Sequence, residues 1–227
     1  SLRISGDGYM PNSSEQSWLI ALGNRYITEL VIEEGVRSIM EGAFYGEEKL
    51  KSVKLPSTIE FMGDSAFADT GITSVTLPKN LNSFNGTIFN SQNFTHYSVS
   101  PENKYFKAVD GVVYSKDLTK LFAYPVGRFA DGGDNNFKIP ETVTEISSYA
   151  FLNCKHTSFK IPGTVKDIQY QAFAGNTNLT SIDIENGVER LLIENNIEYI
   201  PQKRFNWLRL QSLDFYLPQH HIAIECQ

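Results

Sequence analysis

The chain has 227 residues, 41% of them hydrophobic and 20% charged, a balance ordinary for a folded protein and too apolar for a disordered one. Its 20 Lys and Arg against 26 Asp and Glu leave a formal charge of −6, which argues against a nucleic-acid polyanion as main partner. Two cysteines exclude a disulfide scaffold or a structural zinc module, and the longest apolar run, Trp18 to Leu22, is far too short to span a membrane.

No basic region followed by an apolar core opens the chain at Ser1, so no signal peptide is read from it. Residues 1–26 read as an N-terminal cap. Ser13 with Gln16 has the spacing of a capping box, Trp18 and Leu22 share a face at i,i+4, and Gly23 stops the short helix.

From residue 27 onward two markers repeat in step. The phenylalanines of Ala43-Phe44, Ala66-Phe67, Ile88-Phe89, Ala150-Phe151 and Ala172-Phe173 recur at 22 or 23 residues, apart from one larger gap. The prolines of Leu55-Pro56, Leu77-Pro78, Ile139-Pro140 and Ile161-Pro162 recur at 22, 62 and 22. Two markers sharing one period define a tandem repeat. Each unit reads aliphatic-x-x-aliphatic-x-aliphatic-Pro, then two aliphatics three residues apart, then four residues to Phe. Leu50, Val53, Leu55, Pro56, Ile59, Met62 and Phe67 make one such unit. A first unit starts at Ile27 with Glu33 in the proline slot. A seventh begins at Leu179, Ile182, Ile184, Val188 and Leu191 and runs long before Ile197, Ile200 and Phe205. A last strand is expected at Leu213-Asp214-Phe215.

Between Val99 and Ile139 the spacing is 40, so about eighteen extra residues sit within residues 100–135. Asp110-Gly111 and Ser115-Lys116-Asp117 bracket Val112 to Tyr114, which predicts a hairpin projecting from the stack. Gly127 to Asn136 reads as loop.

The pattern resembles the leucine-rich repeat superfamily, and most closely its bacterial surface-protein (BspA-like) subfamily, with units of the form L-x-x-I-x-I-P-x-x-V-x-x-I-x-x-x-A-F-x-x-C. Cys154 occupies the Cys position, where other units have Glu47, Thr70, Gln92 and Asn176. The opening stretch from Leu2 to Pro11 resembles the strand that often precedes the first unit in that family, and the segment from Asn103 to Tyr124-Pro125 is similar to an insertion seen there. The resemblance covers nearly the whole chain and implies a bacterial surface or secreted location.

A unit of 22 residues cannot bury its apolar face alone, so units must stack on one continuous core. The expected fold is therefore an α/β leucine-rich-repeat solenoid, predominantly β. It has a single curved parallel sheet, short helical turns, the N-terminal cap and the inserted β-hairpin, all in one domain over 1–227. Val53 and Leu55 point inward by period-2 spacing while Ser52 and Lys54 point outward. Proline, lacking an N–H, ends each strand.

The histidines do not form a site. His96 falls in an outward strand slot, His156 follows Cys154, and His220 and His221, being adjacent, point to opposite faces of a strand. Motifs for zinc hydrolysis, thiol redox chemistry, nucleophile elbows and nucleotide binding are missing. Cys154 reads as a buried inert thiol rather than a nucleophile. Asp131 with Asp134 reads as a turn rather than a calcium loop. The chain is thus expected to be non-catalytic, without metal or cofactor.

The outward strand slots are the natural binding surface. One column is Glu29, Ser52, Ser74, His96, Asn136, Ser158, Ser181, Ser212; the other is Val31, Lys54, Thr76, Ser98, Lys138, Lys160, Asp183, Asp214. Neither contains an aromatic anchor. Aromatics collect instead in the insertion, so the candidate ligand-binding residues are His96, Lys138, Lys160 and Asp183 with Tyr105, Tyr114 and Tyr124. The favoured reading is a monomeric adhesion or binding module for a host-matrix or neighbouring-cell protein. A glycan-binding module and a structural spacer displaying other domains stand as alternatives.

Overall fold

A computed structural model describes residues 1–10, 26–129, 137–184, 215–217 and 222–226. The capping helix expected around Ser13, Gln16, Trp18, Leu22 and Gly23 lies outside those residues. So do the Asp131/Asp134 loop, most of the seventh unit, and His220 and His221.

The strands in chain order are β1 (Leu2–Ile4), β2 (Glu29–Ile32), β3 (Ser38–Ile39), β4 (Ser52–Lys54), β5 (Phe61–Met62), β6 (Ser74–Leu77) and β7 (His96–Val99). The insertion contributes β8 (Phe106–Val109), β9 (Val112–Ser115) and β10 (Lys120–Ala123). The later coils add β11 (Glu145–Ile146), β12 (Ser158–Ile161), β13 (Asp167–Ile168), β14 (Ser181–Ile184), β15 (Phe215–Leu217) and β16 (Ile222–Cys226). A 3₁₀ turn at Val126–Phe129 is the helical element among the described residues. The chain is a predominantly β solenoid of stacked coils.

The repeat register follows the sequence period. In the front wall Glu29 pairs with Ser52, Ser74 with His96, and Ser158 with Ser181, all in parallel. Leu30, Val75, Leu77, Phe159 and Ile161 point inward and are buried, while their neighbours Ser52, Lys54, Ser74 and Thr76 face solvent. Each proline then starts a tight turn: the carbonyls of Pro56, Pro78, Pro140 and Pro162 accept from the N–H of Ile59, Leu81, Val143 and Val165.

The expected single sheet is divided. The front wall consists of β1-β2-β4, β6-β7 and β12-β14-β16-β15 as separate hydrogen-bonded groups. A second wall, formed by β3-β5 and by β13-β11-β10-β9-β8, follows each proline turn. The repeat units give this wall only two-residue strands, too short for period 2 to register in the sequence.

The insertion does form a hairpin, but it does not project. Asp110 (φ 48°) and Gly111 (φ 76°) make the two-residue turn between β8 and β9, and two successive positive φ values suit the twist of flanking strands. β10 then returns antiparallel to β9 and pairs parallel with β11, so the three strands extend the second wall. Val112, Val113, Tyr114, Leu121, Ala123 and Tyr124 are buried. Phe106, Val113 and Ala123 join the core of the earlier coils, and Val112, Tyr114, Leu121 and Tyr124 join that of the later ones. Seven buried side chains, divided between the two cores, hold the segment in the wall rather than out in solvent.

The third wall is the Ala-Phe turn. Phe44 stacks on Phe67 at 5.1 Å and Phe67 on Phe89 at 5.0 Å, with rings within 6° of parallel; Phe151 and Phe173 repeat this at 5.0 Å and 4°. The spacing matches the strand separation of about 4.8 Å, so one ring fills each coil. The backbone turns through a left-handed residue before Ala and another two residues after Phe. Gly42 and Gly46 occupy these slots in the first coil, Ser65 and Asp69 in the next, Tyr149 and Asn153, then Gln171 and Gly175, further on. Side chains other than glycine are strained there. Ser65→Gly is accordingly expected to raise stability and Gly46→Ala to lower it, each by about 1 kcal/mol, as read from denaturant midpoints.

The coil of Phe89 departs from this pattern. Asn85 Oδ1 accepts from the Thr87 N–H at 2.9 Å and its hydroxyl at 2.6 Å, making the turn without a left-handed residue at Thr87. Its chain re-enters one residue early. Ser91 is therefore buried at the Cys position, and the expected Gln92 is exposed. Thr70 and Asn176 fill the same slot elsewhere, donating to the carbonyls of Phe67 and Phe173 at 2.9 and 2.6 Å.

Candidate functional site

The outward slots of β4, β6 and β7 floor a shallow groove of about 580 Å³, lined by Ser74, Thr76 and Ser98 between Lys54, Lys79, His96 and Glu102. Small hydroxyls leave the floor open and supply both donors and acceptors. Each strand places its outward pair in register with the next, because Ser74 pairs with His96 and Thr76 with Ser98. Lys79 reaches Glu102 at 3.7 Å, and both are exposed, so the pair adds about 0–1 kcal/mol and can be remade with a ligand.

His96 is the bulkiest side chain on the floor. The hairpin turn lies against it: a Cβ on Gly111 would sit 2.6 Å from His96 Nδ1, and the Gly111 φ of 76° itself favours glycine. Tyr97 also donates its N–H to the Gly111 carbonyl at 3.1 Å. Behind the groove, Asn103 is 1% exposed and holds the chain where it leaves the third coil. Its Nδ2 donates to Pro78 O at 2.8 Å and Leu81 O at 3.0 Å, and its Oδ1 accepts from the N–H of Tyr105 and Phe106, both at 2.8 Å.

The seven sequence-predicted residues do not form one site. His96 lies in the groove. Tyr114 and Tyr124 are core residues, 2% and 3% exposed, and are withdrawn as ligand anchors; burial raises the Tyr114 phenol well above its usual range. Tyr105 remains outside, 52% exposed. Lys160 stands opposite Asp183 in the β12–β14 register, as the repeat arithmetic requires. Lys138 is exposed but belongs to no strand, so the expected Lys138–Lys160 ladder is not built by strand pairing. The hairpin turn contacts His96.

Sequence reasoning missed Lys79 and Glu102, which flank the proline turn and the start of the insertion rather than the strand columns. Tyr124 was also misread. Its N–H donates to Ala150 O at 2.8 Å, as those of Phe44 and Phe151 donate to Ala66 and Ala172, so it fills the Phe slot of the inserted coil. The dipeptide Ala123-Tyr124, an aromatic variant of Ala-Phe, was the available signal.

Among the described residues no three His, Cys, Asp or Glu side chains gather as a metal-binding group, and no helix is long and apolar enough to cross a membrane. Burial pushes the Cys154 thiol far above its ordinary value, leaving little reactive thiolate.

A stack of 22-residue coils with strand, proline turn and Ala-Phe turn is a leucine-rich-repeat solenoid. The model of the BspA type leucine-rich repeat region matches six copies over residues 21–121 and 128–223, and the chain belongs to that family. Among solved structures, the pneumococcal vaccine antigen PcpA is 27% identical with a TM-score of 0.59, over 70% of this chain and 41% of that one. A leucine-rich cell surface protein of Faecalibacterium prausnitzii is 26% identical (TM-score 0.54, 70% and 48% covered). A leucine-rich repeat protein of Eubacterium ventriosum, 21% identical at TM-score 0.51 over 81% and 67%, shares the fold. The chain thus spans less than half the length of the first and second of these proteins. No curated protein sequence matches it significantly.

Proposed function

We propose that this chain is a non-catalytic binding module displayed at a bacterial surface, and that it recognises a protein partner through the front wall. The observation that carries this reading is the groove over β4, β6 and β7. There a rigid hydroxyl floor is flanked by Lys54, Lys79 and His96, with Glu102 as the single carboxylate in the lining. Excess positive charge on a protein of net charge −6 is a local feature that draws an acidic segment to one face. The surface location rests on the family and on the cell-surface protein it resembles.

The chain, immobilised, is to be tested by surface plasmon resonance against fibronectin, laminin, collagen and vitronectin at two salt concentrations. Binding to at least one is expected, weaker at high salt because exposed charge pairs are screened. Lys54→Glu with Lys79→Glu should weaken that binding by about tenfold or more. Binding unchanged in this variant would exclude the groove, and no binding to any of the four would favour a spacer.

A further inference from the structure

The Ala-Phe wall carries a second cluster, distinct from the groove. Tyr149 and Tyr170, from the turns of successive coils, meet edge to face with ring centroids 5.9 Å apart at 87°. Tyr170 is 64% exposed and Tyr149 half-buried. Asp64 reaches this pair from an earlier coil through Asn85, whose neighbour Gly86 lies against the Tyr149 backbone; burial, then Tyr170, then Asp64 hold the Tyr149 phenol above its ordinary value. Asn85 Nδ2 donates to Asp64 Oδ1 at 2.6 Å. Coils meet tightly at this point, since a Cβ on Gly86 would lie 2.1 Å from the Tyr149 carbonyl oxygen.

Folding does not call for a tyrosine at 149. Its φ is 59°, in the slot that Gly42 fills in the first coil. A bulky side chain in the left-handed region is a strained outlier that glycine would relieve. The same slot takes Ser65 and Gln171 in other coils, so the turn imposes the positive φ but not an aromatic ring. The neighbouring Tyr170 keeps most of its surface in water, so packing does not explain it either.

We infer that Tyr149, Tyr170, Asp64 and Asn85 form a binding site for a neutral carbohydrate built of pyranose rings with equatorial hydroxyls. Such a ring presents an apolar C–H face that lies on an aromatic side chain, and vicinal hydroxyls that each donate and accept. Asp64 supplies acceptors and the second Nδ2–H of Asn85 a donor, the few placed polar groups a sugar site needs. The charged side chain of the cluster is a carboxylate, which repels an acidic sugar and leaves the neutral class. This inference goes beyond the protein-binding reading and stands independently of it.

The test is titration of the full chain with cellotriose and with chitotriose, followed by amide chemical shifts and by thermal melts. Saturable binding of at least one sugar at millimolar concentration is expected, with shifts at Asp64, Asn85, Tyr149 and Tyr170. Tyr149→Gly fits the backbone, so its melting midpoint should be unchanged or higher while binding falls about tenfold or more. Tyr170→Ala should show the same loss and Lys54→Glu none. No binding of either sugar, undiminished binding by Tyr149→Gly, or shifts confined to Ser74, Thr76 and His96 would overturn the inference.

Discussion

Phe67→Ala is expected to cost about 3–5 kcal/mol of stability. Phe67 is fully buried and sits in the middle of a ladder, 5.1 Å from Phe44 and 5.0 Å from Phe89. Removing it leaves a void one coil deep and deprives two other rings of a stacking partner, each worth about 0.5–1.5 kcal/mol. The coils cannot collapse into the space, because Phe67 N–H bonds Ile88 O at 2.9 Å and the flanking walls are tied strand to strand. By contrast Ser52→Ala, on the exposed front face, should change stability by less than about 0.5 kcal/mol. Denaturant midpoints for the two variants measure the difference. The reverse order would mean that the register is off by one residue.

Asn103→Ala is the second large effect, also about 3–5 kcal/mol, for a different reason. The side chain fills no large volume, but it partners the Leu81 carbonyl and the N–H groups of Tyr105 and Phe106, and gives the Pro78 carbonyl a second donor beside the Leu81 N–H. Each buried group left without a partner costs about 1–3 kcal/mol, and the three are not additive. Asn103→Asp keeps the acceptor but turns a carboxylate toward two carbonyl oxygens. Its folded-state pKa should therefore lie above the unfolded value. Folding then favours the protonated form, so the variant should be weakest at neutral pH and regain stability as pH falls through that raised pKa. Unfolding curves at pH 4 and pH 7 check the sign.

What the sequence made legible follows from what repeats. The Phe ladder, the strand register Glu29–Ser52 and Ser74–His96, and the proline turns all recur every 22 or 23 residues, so arithmetic finds them. The second wall did not show, because its repeat-unit strands are two residues long and leave no alternation to read. The insertion was read as a projecting hairpin because its turn residues are local, whereas its burial depends on two cores that flank it in space. For the same reason Tyr114 and Tyr124 looked like anchors. Aromatic composition cannot separate a ring that fills a coil from one that waits for a partner.

The candidate sites divide in the same way. His96 and Lys54 were legible as outward slots of the strand columns. Lys79 and Glu102 were not, because they enter the groove from the turn and from the start of the insertion. Tyr149 and Tyr170 lie at unequal positions within their units, one immediately before Ala150 and the other two before Ala172, so no column aligned them.

The insertion is a coil of the solenoid wall that joins the earlier and later cores. Native-state hydrogen exchange of the amides in Val112–Ser115 and Lys120–Ala123 tests this most directly. If the insertion is part of the stack, these amides exchange as slowly as those of Glu29–Ile32 and Ser158–Ile161, through the same global opening. Exchange on the timescale of exposed turns, while the repeat strands stay protected, would show a flap lying on the solenoid and contradict the account.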